Sequence, residues 1–293
     1  MRALRTFAAL ALLALAPAAS GCINEVGTDR SGRSFSPDWV LGDFLIQTMT
    51  PEPPDPNLAA RRIAAARARP DFANLNDLGV LLIRQGKPIA AAELFVAVEK
   101  LYPGRAATAA NLGTALELMG RDAAALRWIR MGIERDANEH ARSEWLHVRI
   151  LEAKIAAAKD PGWLQRHSIL GLEFSSALVP PFPTRMPAGN AGSTLIGSDL
   201  DSGLSYQLHE RVQFVKPPDP VVASLFRDWA ILHLSGGAME NADALYTLAF
   251  RYGAPRDALS LKRQAHARQV VARARKQDER YGADCKLCDP PFP

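Results

Sequence analysis

The sequence predicts an all-α protein: antiparallel helical hairpins stacked as a short α-solenoid, with one long irregular insert. Three observations predict it. Alanine and leucine are plentiful, above all between Ala59 and Ala158, while aromatics make up only 7% of the chain; alanine loses no side-chain entropy on entering a helix. Leu78-Gly79 recurs as Leu112-Gly113, 34 residues later. Pro70-Asp71, Pro103-Gly104 and Gly120 punctuate the chain at helix-length spacings, since proline cannot continue a helix and glycine favours the turn after one. The 293 residues exceed what one small core usually holds, and 48% apolar with 23% charged residues is ordinary for a folded chain.

Residues 1–22 read MRALRTFAALALLALAPAASGC. Two arginines, an apolar run over 7–16 and a close of small residues follow the order of a secretory signal, and the run is too short to span a bilayer. Ala19-Ser20-Gly21-Cys22 resembles the lipobox of bacterial lipoproteins, with Ala19 where leucine is more usual. The resemblance implies a signal peptide over 1–21, removed before Cys22, and a diacylglycerol on the Cys22 thiol. Ile23, rather than aspartate, follows the cysteine, which in that family implies the outer membrane, facing the periplasm. Subtracting Arg2 and Arg5 from the formal charge of +4 leaves roughly +2 for the mature chain.

Residues 22–55 are expected to be a lipidated tether and linker. The stretch 24–37 is mostly polar and reads as flexible. Residues 38–49 carry Trp39, Val40, Leu41, Phe44, Leu45 and Ile46 and are expected to pack on the body, and the proline-rich 50–56 is a stiff connector. A helix is predicted from Pro56 to Arg69, with Asp55 as N-cap.

Two copies of the 34-residue unit follow. The first places Leu75, Leu78, Gly79, Leu82, Ala91, Phe95, Val98 and Pro103 in register; the second places Ala109, Leu112, Gly113, Leu116, Ala125, Ile129, Gly132 and Ala137. Small residues such as Gly79 and Ala91 let two helices approach while Leu82, Phe95 and Leu116 fill the gaps. This pattern resembles the tetratricopeptide repeat, TPR. TPR-like repeats are assigned to 56–158, the last helix over 143–158 carrying Trp145, Leu146, Ile150 and Leu151. An irregular insert is assigned to 159–218, with a proline cluster over 179–187 and a Gly/Ser-rich stretch over 189–203. Asp219-Pro220 reopens a helix, and Trp229, Ala230, His233, Ala242, Tyr246 and Ala249 suit a further hairpin over 220–253. A polar capping helix to residue 280 closes the array, leaving a tail over 281–293.

Few residues suggest chemistry. Cys285-Lys286-Leu287-Cys288 is read as a possible disulfide; thiol–disulfide exchange is the alternative, and no further ligands complete a zinc site. No metal or cofactor is expected. His147 and His233 fall at repeat core or groove positions. Asp199 and Asp201 resemble a fragment of a calcium loop, but Gly203 and a missing distal glutamate break the spacing. The alternative of an enzyme requires His167, Glu173 and Asp199 of the insert to converge, with Trp163 nearby. No basic block alternates with aromatics, which argues against a nucleic-acid partner.

The TPR resemblance implies a binding groove on the inner helix face, at Asn76, Val80 and Ile83 in the first copy and Ala110, Asn111, Thr114 and Glu117 in the second. Family members that clamp a terminal carboxylate use lysine and asparagine where this chain has Asn76 and Val80, so that clamp is not carried over. The groove would take a helix or an extended peptide, or the chain would cover it with 38–49 or 179–187. The expectation is a lipid-anchored envelope scaffold for a protein or peptide partner, not an enzyme.

Overall fold

A computed structural model describes residues 26–37, 40–53 and 55–283, with side chains as far as 277. Signal residues 1–21, Cys22, Cys285 and Cys288 lie outside the described residues. The described chain is all-α apart from one small ladder: β1 (Gly27–Thr28) pairs antiparallel with β2 (Ser34–Phe35), Gly27 opposite Phe35. Helix α1 (Gly42–Thr48) precedes α2 (Leu58–Ala68), which is shorter than expected at its start. Asp55 does receive a hydrogen bond, from Asn57 N at 2.8 Å, but the helix begins two residues later than expected, at Leu58, with Asn57 in the N-cap position.

The two repeats fold as two hairpins, α3 (Phe72–Arg84) with α4 (Pro88–Leu101) and α5 (Ala106–Leu118) with α6 (Asp122–Arg135). Gly79 faces Phe95 so closely that a Cβ there would lie 2.4 Å from the ring; Gly113 stands in the same relation to Ile129, at 2.5 Å. The repeated glycine is thus a contact surface between paired helices. The turns are repeated too: Gly86 and Gly120 follow α3 and α5 with φ of +68° and +70°, values that cost glycine nothing.

Helix α7 (Glu144–Lys159) continues the array, followed by the short α8 (Trp163–Arg166). Irregular chain then runs to residue 196. The rest of the insert is not irregular: α9 (Gly197–Val212) occupies it. Its serines and glycines are poor helix formers, but Leu200, Leu204, Leu208 and Val212, four residues apart, are completely buried, and that burial outweighs propensity. Asp199 secures the start by accepting a hydrogen bond from Ile196 N at 2.8 Å.

Helices α10 (Pro220–Gly236) and α11 (Met239–Arg251) form the further hairpin, capped by α12 (Ala258–Ala283). Asp219 caps α10 by accepting from Val222 N at 2.8 Å, with Pro220 in the first turn. The largest core lies here, where Trp229, Phe226, Tyr246 and Leu234 meet α7, α9 and α1. The stretch 26–37 is a docked hairpin and not a free tether. Thr28 donates N and Oγ1 to the two Glu240 oxygens at 3.0 and 2.7 Å, and Gly42 N donates to Asn241 Oδ1 at 2.8 Å. Both partners lie in the first turn of α11.

Candidate functional site

Helices α3, α5 and α7 each present one face to the same side of the array, and α9 returns along it. Its inner stripe of leucines enters the main core, while Tyr206, Gln207, Glu210 and Arg211 turn toward α3 and α5. Just beyond the helix, Phe214 packs on the first hairpin's core of Ile83, Ala91, Phe95 and Leu112. What remains open is a cavity of about 230 Å³.

The closed side of this groove is held by charge. Glu117 of α5 is buried and receives Arg211 Nη1 and Nη2 at 2.8 and 3.1 Å, Lys154 Nζ at 3.0 Å and His147 Nε2 at 2.8 Å. Burial alone would raise the Glu117 carboxyl, but the Arg211 charge and the His147 hydrogen bond outweigh it and hold it well below the carboxylate range. Glu144 of α7 lies between two imidazoles, bonded to His140 Nδ1 and 3.5 Å from His147 Nδ1. Burial opposes its ionisation too, yet the two histidines bring it down to about 2. Burial would in turn lower both histidines, and their carboxylate partners raise them instead.

Backbone strain shapes the rim. In the turn Glu139–Arg142, His140, Ala141 and Arg142 have φ of 50°, 53° and 64°. Three successive non-glycine residues in the left-handed region cost roughly 1–2 kcal/mol each. The turn places the His140 ring against Tyr206, ring centres 5.8 Å apart and planes at 27°. Strain of this kind is concentrated at ligand clamps and switch regions.

Of the groove residues expected from sequence, Asn76, Val80, Ile83, Asn111 and Thr114 line the cavity together. Asn111 Nδ2 donates to Asn76 Oδ1 at 3.0 Å, which leaves the Asn76 amide hydrogens and the Asn111 carbonyl oxygen for another partner. Ala110 is instead in a core with Ala125, Ile129 and Leu151, because the helix turns it toward α6. Glu117 is taken up by the buried ion cluster. Neither the described part of 38–49, residues 40–49, nor 179–187 fills the groove: α1 packs on the α10–α11 core, and Phe182 sits over Gly197 and Gly236. The occupant is α9. Its four-residue leucine spacing was the available signal.

The other singled-out residues are dispersed. His167 and Glu173 line one cavity of about 670 Å³ with Trp163, but Asp199 closes the start of α9, so the three do not converge. His233 Nδ1 accepts from Ala238 N at 3.2 Å and its Nε2 lies 3.1 Å from Asp201 Oδ1, the oxygen to which Trp229 Nε1 donates at 2.7 Å. Among the described residues no group of histidine, cysteine, aspartate and glutamate is arranged to hold a metal ion, and no helix is long and apolar enough to cross a membrane. No protein-family model matches the chain, and no curated protein is significantly similar to it.

Proposed function

We propose that this protein is an acylated envelope scaffold whose repeat groove holds a segment of a protein or peptide partner on the periplasmic side of the outer membrane. The observation that carries the binding part is the strip left open beside α9, where Asn76, Val80, Asn111 and Thr114 of two successive repeats line one cavity. Amide side chains alternate there with apolar ones, which suits an extended peptide: its backbone pairs with the amides and a side chain enters the apolar gap. The anchor part rests on the Ala19-Ser20-Gly21-Cys22 sequence, and two or more acyl chains give stable attachment where one is marginal.

Two experiments test the parts separately. Proteins crosslinked to the wild-type chain in the envelope should be lost when Val80→Glu and Thr114→Glu are combined; an unchanged crosslinking pattern rejects the groove. Labelling with a fatty-acid analogue should disappear in Cys22→Ser, and undiminished labelling rejects the anchor.

A further inference from the structure

Docking of the hairpin over 26–37 leaves almost no slack between the lipid anchor and the body. Thr28 is held to Glu240 by two hydrogen bonds, and only residues 23–25 lie between Cys22 and Val26. Fully extended, the steps from Cys22 to Val26 span at most about 14 Å, little more than the ~10–12 Å diameter of one helix. A free tether to residue 37 would reach about 50 Å. An acyl group on Cys22 therefore holds this end of the body at the bilayer surface.

Apolar side chains stand exposed around that point. Gly42 N donates to Asn241 Oδ1, and Asn241 Nδ2 donates to Val40 O at 3.0 Å, one residue along α11 from the Glu240 that holds Thr28. Val26, Val40 and Phe44 each lie within two residues of these bonds, and they are between 41% and 57% exposed. A single exposed valine or phenylalanine is ordinary. Three gathered about one turn of a helix form a patch of the kind that meets a partner or a membrane.

The charges beside the patch do not favour a charged partner. Asp43, Glu240 and Asp243 line one cavity with Arg268, Arg275 and Lys276, three carboxylates against three cations. Glu240 is taken up by Thr28, and Asp243 by Gln264 and Arg268. In the hairpin Asp29 pairs with Arg33 at 3.0 Å, and Arg30 donates to Ser235 O at 3.2 Å. The surface is thus apolar with balanced charge, and the nearest apolar phase is the one that the anchor itself enters. At so short a link the effective concentration is on the order of millimolar, so a contact too weak to hold a free protein is still populated.

We infer that the body lies against the bilayer in which it is anchored, with Val26, Val40 and Phe44 seated among the lipid headgroups beside Cys22. Apolar side chains at such an interface reach ~5–10 Å, to the boundary with the acyl chains. The inference rests on acylation of Cys22 and adds which face of the body meets lipid.

The test uses the acylated full chain carrying Cys285→Ser and Cys288→Ser, reconstituted on vesicles of phosphatidylethanolamine and phosphatidylglycerol with a nitroxide-bearing phospholipid. An NBD fluorophore is placed at Phe44→Cys or, for comparison, at Leu101→Cys, an exposed apolar position on α4. At 44 its emission should shift to the blue and be largely quenched by the nitroxide, and at 101 neither should occur. High salt should leave the quenching at 44 unchanged, because an apolar contact is not screened. Val26→Glu with Val40→Glu, both at exposed positions, should bring it down to the level seen at 101 while the chain stays on the vesicles. Equal quenching at 44 and 101, or quenching at 44 that survives both glutamate substitutions or disappears in high salt, overturns the seat and leaves the anchor standing. A chain that washes off the vesicles as Cys22→Ser does overturns the anchor, and the seat with it.

Discussion

Of the seventeen residues of α10, fourteen are buried; of the thirteen of α3, three are. Both helices open a hairpin, both are capped by an aspartate, and both carry repeat-like spacing. The difference lies in what covers them. Helix α3 packs on α2 and α4 and has a cavity in front, whereas α10 packs on α11, α9 and α8 and shares one core with residues of α7 and α1. The first two repeats therefore rest on thin local cores and keep a face for something else. The later half encloses one deep core assembled from distant pieces of chain. Glu117, Arg211, His147 and Lys154 are where the two are joined.

Cutting that joint should have the largest effect. Arg211→Ala leaves buried Glu117 with fewer cations, and removing one partner of a buried ion pair typically costs ~3–5 kcal/mol. Urea unfolding should show the loss, and a cost below about 1 kcal/mol would mean the halves are held by apolar packing alone. Gly113→Ala comes next: its Cβ would press on Ile129, at ~1–3 kcal/mol for overpacking. Gly79→Ala presses on the buried Phe95 ring in the same half and in the same way, so it should cost about as much; a negligible loss at either glycine would mean that the thin half yields at that contact.

Asp71→Ala and Asp219→Ala delete equivalent caps, on Asn74 N and Val222 N, each worth ~1 kcal/mol. Similar losses are expected, since a cap acts within its own first turn; a much larger loss at Asp219 would show that the deep core amplifies local damage. A gentler effect is expected from pH. Glu117 and Glu144 lie below their unfolded value near 4.5. Their contribution is complete above it and is lost as pH falls through the folded values. His140 and His147 lie above 6.5; theirs is complete below it and is lost as pH rises through the folded values. The joint should be strongest between about pH 4.5 and 6.5, and His147→Gln should flatten the alkaline side of the urea-midpoint profile.

The same contrast decides what could be read from the sequence. Hairpins α3–α6 were legible because their determinants are local: Gly79 needs Phe95 and Gly113 needs Ile129, sixteen residues on in each case. Helix α9 was not, because Gly197, Ser198, Ser202 and Gly203 argue against a helix locally, while the reasons for one lie in Trp145, Trp229 and Glu117. The docking of 26–37 was hidden for the same reason, since Glu240 and Asn241 are some two hundred positions away. The groove was half legible. Family register found the wall contributed by α3 and α5, but the wall contributed by His140, Tyr206 and Glu210 follows no repeat.

The Arg211–Glu117 bond has a consequence for the rate at which a partner is captured. It ties the two walls of the groove to each other, so the width of the opening is set before anything arrives. A solenoid free to breathe would have to close around its guest and lose entropy in doing so. A preorganised jaw avoids most of that cost, and its association is expected to approach the rate typical of rigid docking, about 10⁵–10⁷ M⁻¹s⁻¹. Discrimination among guests would then appear mainly in how long each one stays.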